Sequence, residues 1–244
     1  QQFTTDSTRF FYTPSVVDVS PKLGPTAGGT EVHVQATGYT DTVHFCRFQN
    51  GQDDAVVHEA SRISQTTLSC MSPPHNGSGI YPAAVALAVS ISADVCADCE
   101  FGNHFGPSEL SFFLYDSPRL DSIDMQSNSV HFEEAMLIRG RQLASEFSAV
   151  APHPTCGFYP MGNASTPVAT SSATVNATAQ TVSCAAPSTM SPQQVRVELS
   201  LNGQQYTHDG HNFTLFDDAA PPSILSMSPT YGPKAGGTSV TIVG

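Results

Sequence analysis

Apolar and polar positions alternate along much of this chain, and the period is two. Val17 and Val19, then Val32 and Val34, alternate with polar residues on either side of a Gly/Pro-rich stretch. That pattern predicts two short strands, each with one buried face, joined by a reversal. Segments 42–48 and 66–73 are strand-like as well. In 83–91, Val85, Leu87, Val89 and Ile91 share one face and alanines the other, which predicts a central strand whose second face is also closely covered. Val195, Val197, Leu199 and Leu201 alternate with Arg196, Glu198 and Ser200, the pattern of a half-exposed strand. Three aromatic segments, 9–12, 111–116 and 212–217, each precede a proline-containing junction. They read as last strands of successive domains.

The Gly/Pro reversal returns near the C-terminus. Ser20-Pro21, Gly24-Pro25, Ala27-Gly28-Gly29-Thr30, Val32 and Val34 recur in order and without a gap as Ser228-Pro229, Gly232-Pro233, Ala235-Gly236-Gly237-Thr238, Val240 and Ile242. Pro25 fixes φ and removes a donor, while Gly28-Gly29 permits positive φ where the chain turns back. A lone Gly-Gly would be an ordinary turn. A match of this length in one register is an internal repeat.

The pattern S-P-x-x-G-P-x-x-G-G-T-x-V-x-V/I resembles the opening of the IPT/TIG domain, the immunoglobulin-like module of plexins, hepatocyte-growth-factor-receptor-type ectodomains, fibrocystin-like surface proteins and Rel-type transcription factors. The resemblance implies an all-β fold of tandem immunoglobulin-like (IPT/TIG) β-sandwiches. On that reading 1–13 is the last strand of a preceding domain, 14–116 a first sandwich, 117–217 a divergent second sandwich, and 218–244 the first hairpin of a following domain. The chain is then expected to be an interior piece of a longer array. The second sandwich has Gln126-Ser127-Asn128-Ser129-Val130 where Gly-Pro and Gly-Gly-Thr are expected, so its opening hairpin is expected to be built differently. The family pattern places a cysteine in each of two paired strand segments. That implies a Cys46–Cys70 disulfide and, from the parallel segments 155–158 and 181–187, a Cys156–Cys184 disulfide, out of the many connectivities six cysteines allow. Closing a loop of about 25 residues stabilises a fold by roughly 3 to 4 kcal/mol in the chain-entropy model.

Charge narrows the branch. Lys+Arg number 9 against 21 Asp+Glu, a net charge of -12, and Lys22 and Lys234 are the only lysines. Phosphate recognition needs a clustered basic footprint, and Arg139 with Arg141, the nearest thing to one, reads as a solvated strand end. Nucleic acid is not expected as a partner, and the cell-surface branch gains over the transcription-factor branch. No apolar run approaches the roughly 18 residues of a membrane span, so no membrane contact is expected of this segment. An even cysteine count and four N-x-S/T sequons, at Asn76, Asn163, Asn176 and Asn212, favour an extracellular or cell-surface location. Segment 163–181, rich in Ser, Thr and Ala, reads as a glycan-bearing loop or edge, with a bare loop as the alternative. Glycan is expected at Asn163, Asn176 and Asn76. Asn212 starts a proposed strand and accepts one only if its side chain faces solvent.

Candidate chemistry is sparse. Cys96 and Cys99 followed by His104 give C-x2-C-x4-H, with Glu109 where a zinc knuckle needs a cysteine as its fourth ligand. A small Cys96–Cys99 disulfide loop is the favoured alternative. His208-Asp209-Gly210-His211 reads as a metal-binding group or, preferably, a polar turn. The pairs Asp53-Asp54, Glu133-Glu134 and Asp217-Asp218 could hold Ca²⁺ at a domain junction, without the D-x-D-x-D-G spacing that would support it. G-x-S-x-G, H-E-x-x-H, P-loop and G-x-G-x-x-G motifs do not occur in the sequence. The expectation is therefore no metal, no cofactor and no catalysis: a structural or adhesive spacer segment of a long, repeat-containing surface or fibre-forming glycoprotein. Its partners would be neighbouring IPT/TIG domains, other copies or surface proteins, and glycans. Alternatives are a ligand-binding ectodomain segment of a plexin-like receptor and an accessory domain of a secreted polysaccharide-acting enzyme.

Overall fold

The computed structural model describes residues 15–38, 44–49, 55–75, 83–91, 110–131, 134–143, 154–162, 164–188, 190–219 and 223–244. Every helix or strand among them is a β-strand, and none of the described residues forms a helix able to cross a membrane. The first eight strands are β1 (Ser15–Ser20), β2 (Leu23–Pro25), β3 (Glu31–Thr37), β4 (His44–Gln49), β5 (Val56–Arg62), β6 (Thr67–Met71), β7 (Ala83–Ile91) and β8 (Leu110–Tyr115). They form one sheet in the order β1-β3-β6-β5-β4-β7-β8-β2, folded on itself as a sandwich. One flank is turned by β5, whose Val56 to Ala60 pair with β4 and whose Ser61 and Arg62 pair with β6. The other is turned by the opening stretch, because β1 lies antiparallel to β3 while β2 runs parallel to β8. Strands that change layers in this way make corners and leave little unpaired edge.

Burial follows the alternation closely in β3, where Val32, Val34 and Ala36 are buried and Glu31, His33 and Gln35 are exposed. In β1 it does not. A bulge between Val16 and Asp18 sets Val16 and Val19 into the core and leaves Val17 61% exposed, so the expected pairing of Val17 with Val19 on one face fails. The bulge places two residues opposite one and reverses the facing of those before it. β7 also departs from expectation. Val85 and Leu87 are buried, but Ala84 is exposed and Ala86 half-buried, so at these two positions the alanine face is not closely covered. Phe48 and Phe112 meet edge to face at 5.8 Å across this core.

The next eight strands repeat the plan: β9 (Arg119–Ile123), β10 (Ser127–Ser129), β11 (Ala135–Arg141), β12 (Thr155–Pro160), β13 (Ala169–Asn176), β14 (Thr181–Ala185), β15 (Gln193–Ser200) and β16 (His211–Phe216). Their order is β10-β16-β15-β12-β13-β14-β11-β9. β13 changes layers as β5 does, pairing first with β12 and then with β14. β9 lies antiparallel to β11 and β10 parallel to β16. The opening therefore keeps the topology of the first sandwich and differs only in chemistry. Side chains replace the Gly/Pro turn: the Asn128 side chain accepts from the Ser129 N–H at 2.9 Å, and Ser129 Oγ accepts from the His131 N–H at 3.1 Å. The outer face of β15 is another correction, since Glu198 and Ser200 are buried rather than exposed.

A last pair, β17 (Ser226–Ser228) and β18 (Thr241–Val243), forms an antiparallel hairpin around the second Gly/Pro turn. Disulfides Cys46–Cys70 and Cys156–Cys184 join β4 to β6 and β12 to β14, and all four cysteines are buried. Removing the second by Cys156→Ala with Cys184→Ala frees the unfolded chain between positions 28 residues apart. The expected loss is about 3 kcal/mol in denaturant unfolding of the second sandwich, and a loss under about 1 kcal/mol would contradict it.

Candidate functional site

Between β8 and β9 lie only Asp116, Ser117 and Pro118. So short a link brings the end of one sandwich against the start of the next, and the apolar groups there belong to one cluster. Leu23 and Tyr115, from β2 and β8, are buried with Leu120, Val130 and Leu201 in the core of the second sandwich, and Phe113 packs against it. The first sandwich has its own separate cluster around Val32, Leu68 and Phe112. Burying a leucine or an aromatic side chain contributes about 1.5–3 kcal/mol. Burial also raises the ionisation of the Tyr115 phenol well above the ordinary tyrosine range.

Above this apolar contact, the loop between β15 and β16 reaches back to the Gly-Gly-Thr turn of the first sandwich. The Gln204 carboxamide accepts from the Glu31 N–H and donates to the Glu31 carbonyl, both at 2.8 Å. It thus pairs both backbone groups of one residue, as a strand neighbour would. Gln205 Nε2 donates to the Gly29 carbonyl at 2.8 Å, and its Oε1 accepts from Thr30 Oγ1 at 3.0 Å and from Asn202 Nδ2 at 2.6 Å. Asn202 Nδ2 also reaches Thr30 Oγ1 at 3.3 Å and the Leu23 carbonyl at 3.4 Å. Its own oxygen accepts from the N–H groups of Gln204 and Gln205 at 3.0 and 3.1 Å, fixing the loop that carries them.

The far end of the same loop grips the strand that follows the link. Asp209 Oδ2 accepts from the Leu120 N–H at 2.9 Å, and His211 Nε2 donates to the Leu120 carbonyl at 3.1 Å. Asp209 and His211, which the sequence offers as metal ligands or a polar turn, act as structural partners of one backbone residue. His208 is exposed. The loop therefore spans the junction, holding Gly29 to Glu31 on one side and Leu120 on the other.

Its backbone is held by a buried carboxylate. Glu198, 1% exposed, accepts from Thr207 Oγ1 at 2.7 Å and from the Gly210 N–H at 3.2 Å. Arg196 Nε approaches it at 2.8 Å off the N–H axis, a charge contact rather than an aligned hydrogen bond. The guanidinium lies over the Tyr159 ring at 5.4 Å, and Tyr159 meets Tyr206 edge to face at 5.8 Å. A Cβ at Gly157 would stand 2.7 Å from Tyr206, and one at Gly210 would strike Arg196, so both positions require glycine. Burial, then Tyr206 and Glu198, push Tyr159 up to about 12, with Arg196 opposing. At the turn itself, the Ser69 hydroxyl donates to Glu31 at 2.7 Å and holds that carboxyl below its usual range.

Cys96, Cys99, His104, Glu109, Asp53, Asp54, Glu133, Asn76 and Asn163 lie outside the described residues. Asn176 and Asn212 are exposed, and Asn212 faces away from buried Phe213. Asp217 and Asp218 do come together with His131, whose Nε2 is 2.8 Å from Asp217 and 3.8 Å from Asp218. Asp217 also accepts from the Ala219 N–H at 2.9 Å, and Asp218 from Ser129 Oγ at 2.6 Å. These bonds tie the end of β16 to the opening of its own sandwich and account for the cluster without an ion. Sequence reasoning did not single out Asn202, Gln204, Gln205 or the buried role of Glu198. The available signal was the Asn-Gly-Gln-Gln run that begins two residues past the end of β15.

Residues 14–95 match the IPT/TIG domain family. The IPT/TIG match covers β1 to β7 and so includes the turn that receives Gln204 and Gln205. No curated protein sequence matches the chain. Among solved structures, it is similar to the full extracellular region of plexin A4, domains 1 to 10, at 16% identity and a TM-score of 0.48 over 92% of this chain and 18% of that one. A second structure of that region, with domains 1 to 8, gives 15% identity and a TM-score of 0.33 over 94% of this chain and 27% of that one. The chain spans 18% and 27% of the length of these plexin chains.

Glu198→Ala removes the acceptor for Thr207 and Gly210 and leaves Arg196 without its counter-charge. It is expected to destabilise the second sandwich by about 3 kcal/mol in denaturant unfolding, and an unchanged midpoint would contradict the anchoring role. A pH-dependent loss is also expected. A phenol whose ionisation is raised on folding contributes stability that is complete below the unfolded value near 10 and falls as pH rises towards the folded value. Tyr159→Phe, which cannot ionise, should reduce the decline in melting temperature between pH 10 and about 12. An identical alkaline decline in both proteins would count against it.

Proposed function

We propose that this chain is a non-catalytic structural segment of an extracellular or cell-surface glycoprotein, in which immunoglobulin-like sandwiches are stacked in a fixed relation. The observation that carries the reading is the junction, where a three-residue link, a shared apolar cluster and a two-ended loop act together. Connected domains with a small polar contact move independently by default. An apolar contact continuous with a core, bracketed by hydrogen bonds to backbone on both sides, opposes that motion. Two buried disulfides support an oxidising compartment, and the IPT/TIG match supports an immunoglobulin-like module.

Two measurements test this reading. In NMR relaxation the two sandwiches should share one rotational correlation time, and independent tumbling would overturn the fixed stacking. After expression through a secretory pathway, glycosidase treatment should lower the intact mass and mark Asn176 and Asn212, both exposed on strands. A secreted chain whose mass is unchanged by the glycosidase, with none of the four sequons occupied, would remove the glycoprotein assignment.

A further inference from the structure

The turn that receives Gln204 and Gln205 is one of two copies, and the second has the same internal geometry. Gly28 and Gly29 have φ of 76° and 78°, and Gly236 and Gly237 have 81° and 83°. The Gly28 N–H donates to the Pro25 carbonyl at 2.9 Å, and the Gly236 N–H to the Pro233 carbonyl at 2.9 Å. A Cβ at Gly24 would strike the Thr30 hydroxyl, and one at Gly232 the Thr238 hydroxyl. Both copies are entered through a cis peptide, Ser20-Pro21 and Ser228-Pro229.

Their surroundings differ. Leu23, at the head of the first turn, is fully buried in the second sandwich, whereas its counterpart Tyr231 is 86% exposed. Gly29, Thr30 and Glu31 are engaged by Gln205 and Gln204. Their counterparts Gly237, Thr238 and Ser239 are exposed. What the first turn offers is a Gly carbonyl, a Thr hydroxyl, both backbone groups of the next residue and an apolar side chain. Three of these are backbone groups, so they do not depend on which side chain follows the threonine.

We propose that the Gly-Pro-x-x-Gly-Gly-Thr turn is a docking element between β-sandwiches, and that its copy at Gly232–Thr238 is a second such site. Its occupant is another sandwich that presents a carboxamide-bearing loop, as Asn202 to Gln205 do, with Tyr231 entering that sandwich's apolar core. This rests on the reading of the chain as a stacked structural segment.

The test uses the full chain in three forms and reads the rotational correlation times of the two sandwiches by NMR relaxation. The parent chain should show one shared time; two separate times would overturn the stacking itself. Gln204→Ala with Gln205→Ala removes the carboxamides from an exposed loop and should split the shared time into two shorter ones. A shared time retained in that variant would overturn docking by the turn and leave stacking through the apolar cluster intact. The third form asks whether the second turn is competent, by writing its sequence into the first through Leu23→Tyr, Thr26→Lys and Glu31→Ser. The shared time should persist, and a split like that of the carboxamide-free variant would overturn the second site. Should tyrosine at position 23 overfill the cluster and prevent folding, Thr26→Lys with Glu31→Ser carries the same comparison for the polar half of the site.

Discussion

The arrangement of the two sandwiches depends on side-chain carboxamides that pair with backbone across a gap no strand bridges. Glu31 opens β3 at a point where β1, which ends at Ser20 opposite His33, no longer reaches it. Its N–H and carbonyl would otherwise meet solvent. Gln204 satisfies both. Each such bond, exchanged for one to water, contributes about 0.5–1.5 kcal/mol net, so the pairing favours the docked arrangement as well as ordering the loop.

That pairing works only if the glutamines are held in place beforehand. A loop of this length free in solution would lose conformational entropy on docking, roughly 1–2 kcal/mol for each ordered residue. Here the cost is met within the second sandwich. Glu198 fixes Thr207 and Gly210, Tyr206 packs on Tyr159 over the bare Gly157, and Asn202 closes on Gln204 and Gln205. A charged group nearly sealed from water is destabilising unless paired, and Glu198 has a hydroxyl, an N–H and a guanidinium around it. The polar cluster thus converts an outer sheet face into a platform for the junction.

Much of the fold was legible in the sequence because it rests on local rules. The alternation in β3 and the Gly/Pro turn with its copy express period and turn chemistry, while the cysteine pairs of β4 with β6 and β12 with β14 were implied by the resemblance to the IPT/TIG pattern. Where the reading failed, a tertiary feature intervened. The bulge in β1 reversed the facing of Val17, and a loop folding over β15 buried Glu198 and Ser200. The opening of the second sandwich kept its topology without its motif, since Asn128 and Ser129 side chains do what glycine and proline do in the first. The junction was least legible. Asn, Gly and Gln after a strand look like any solvated turn, and what Gln204 and Gln205 touch lies more than 170 residues away in sequence.

The amide of Glu31 reports the junction most directly, because Glu31 itself is exposed and its N–H has Gln204 as acceptor. Native-state hydrogen exchange at that single amide should therefore be slow in the parent chain, and Gln204→Ala should return it to the rate of a solvated turn while the amides of Val32 and Val34 stay protected. Fast exchange at Glu31 in the parent chain, or protection unchanged by removing the carboxamide, would contradict the account.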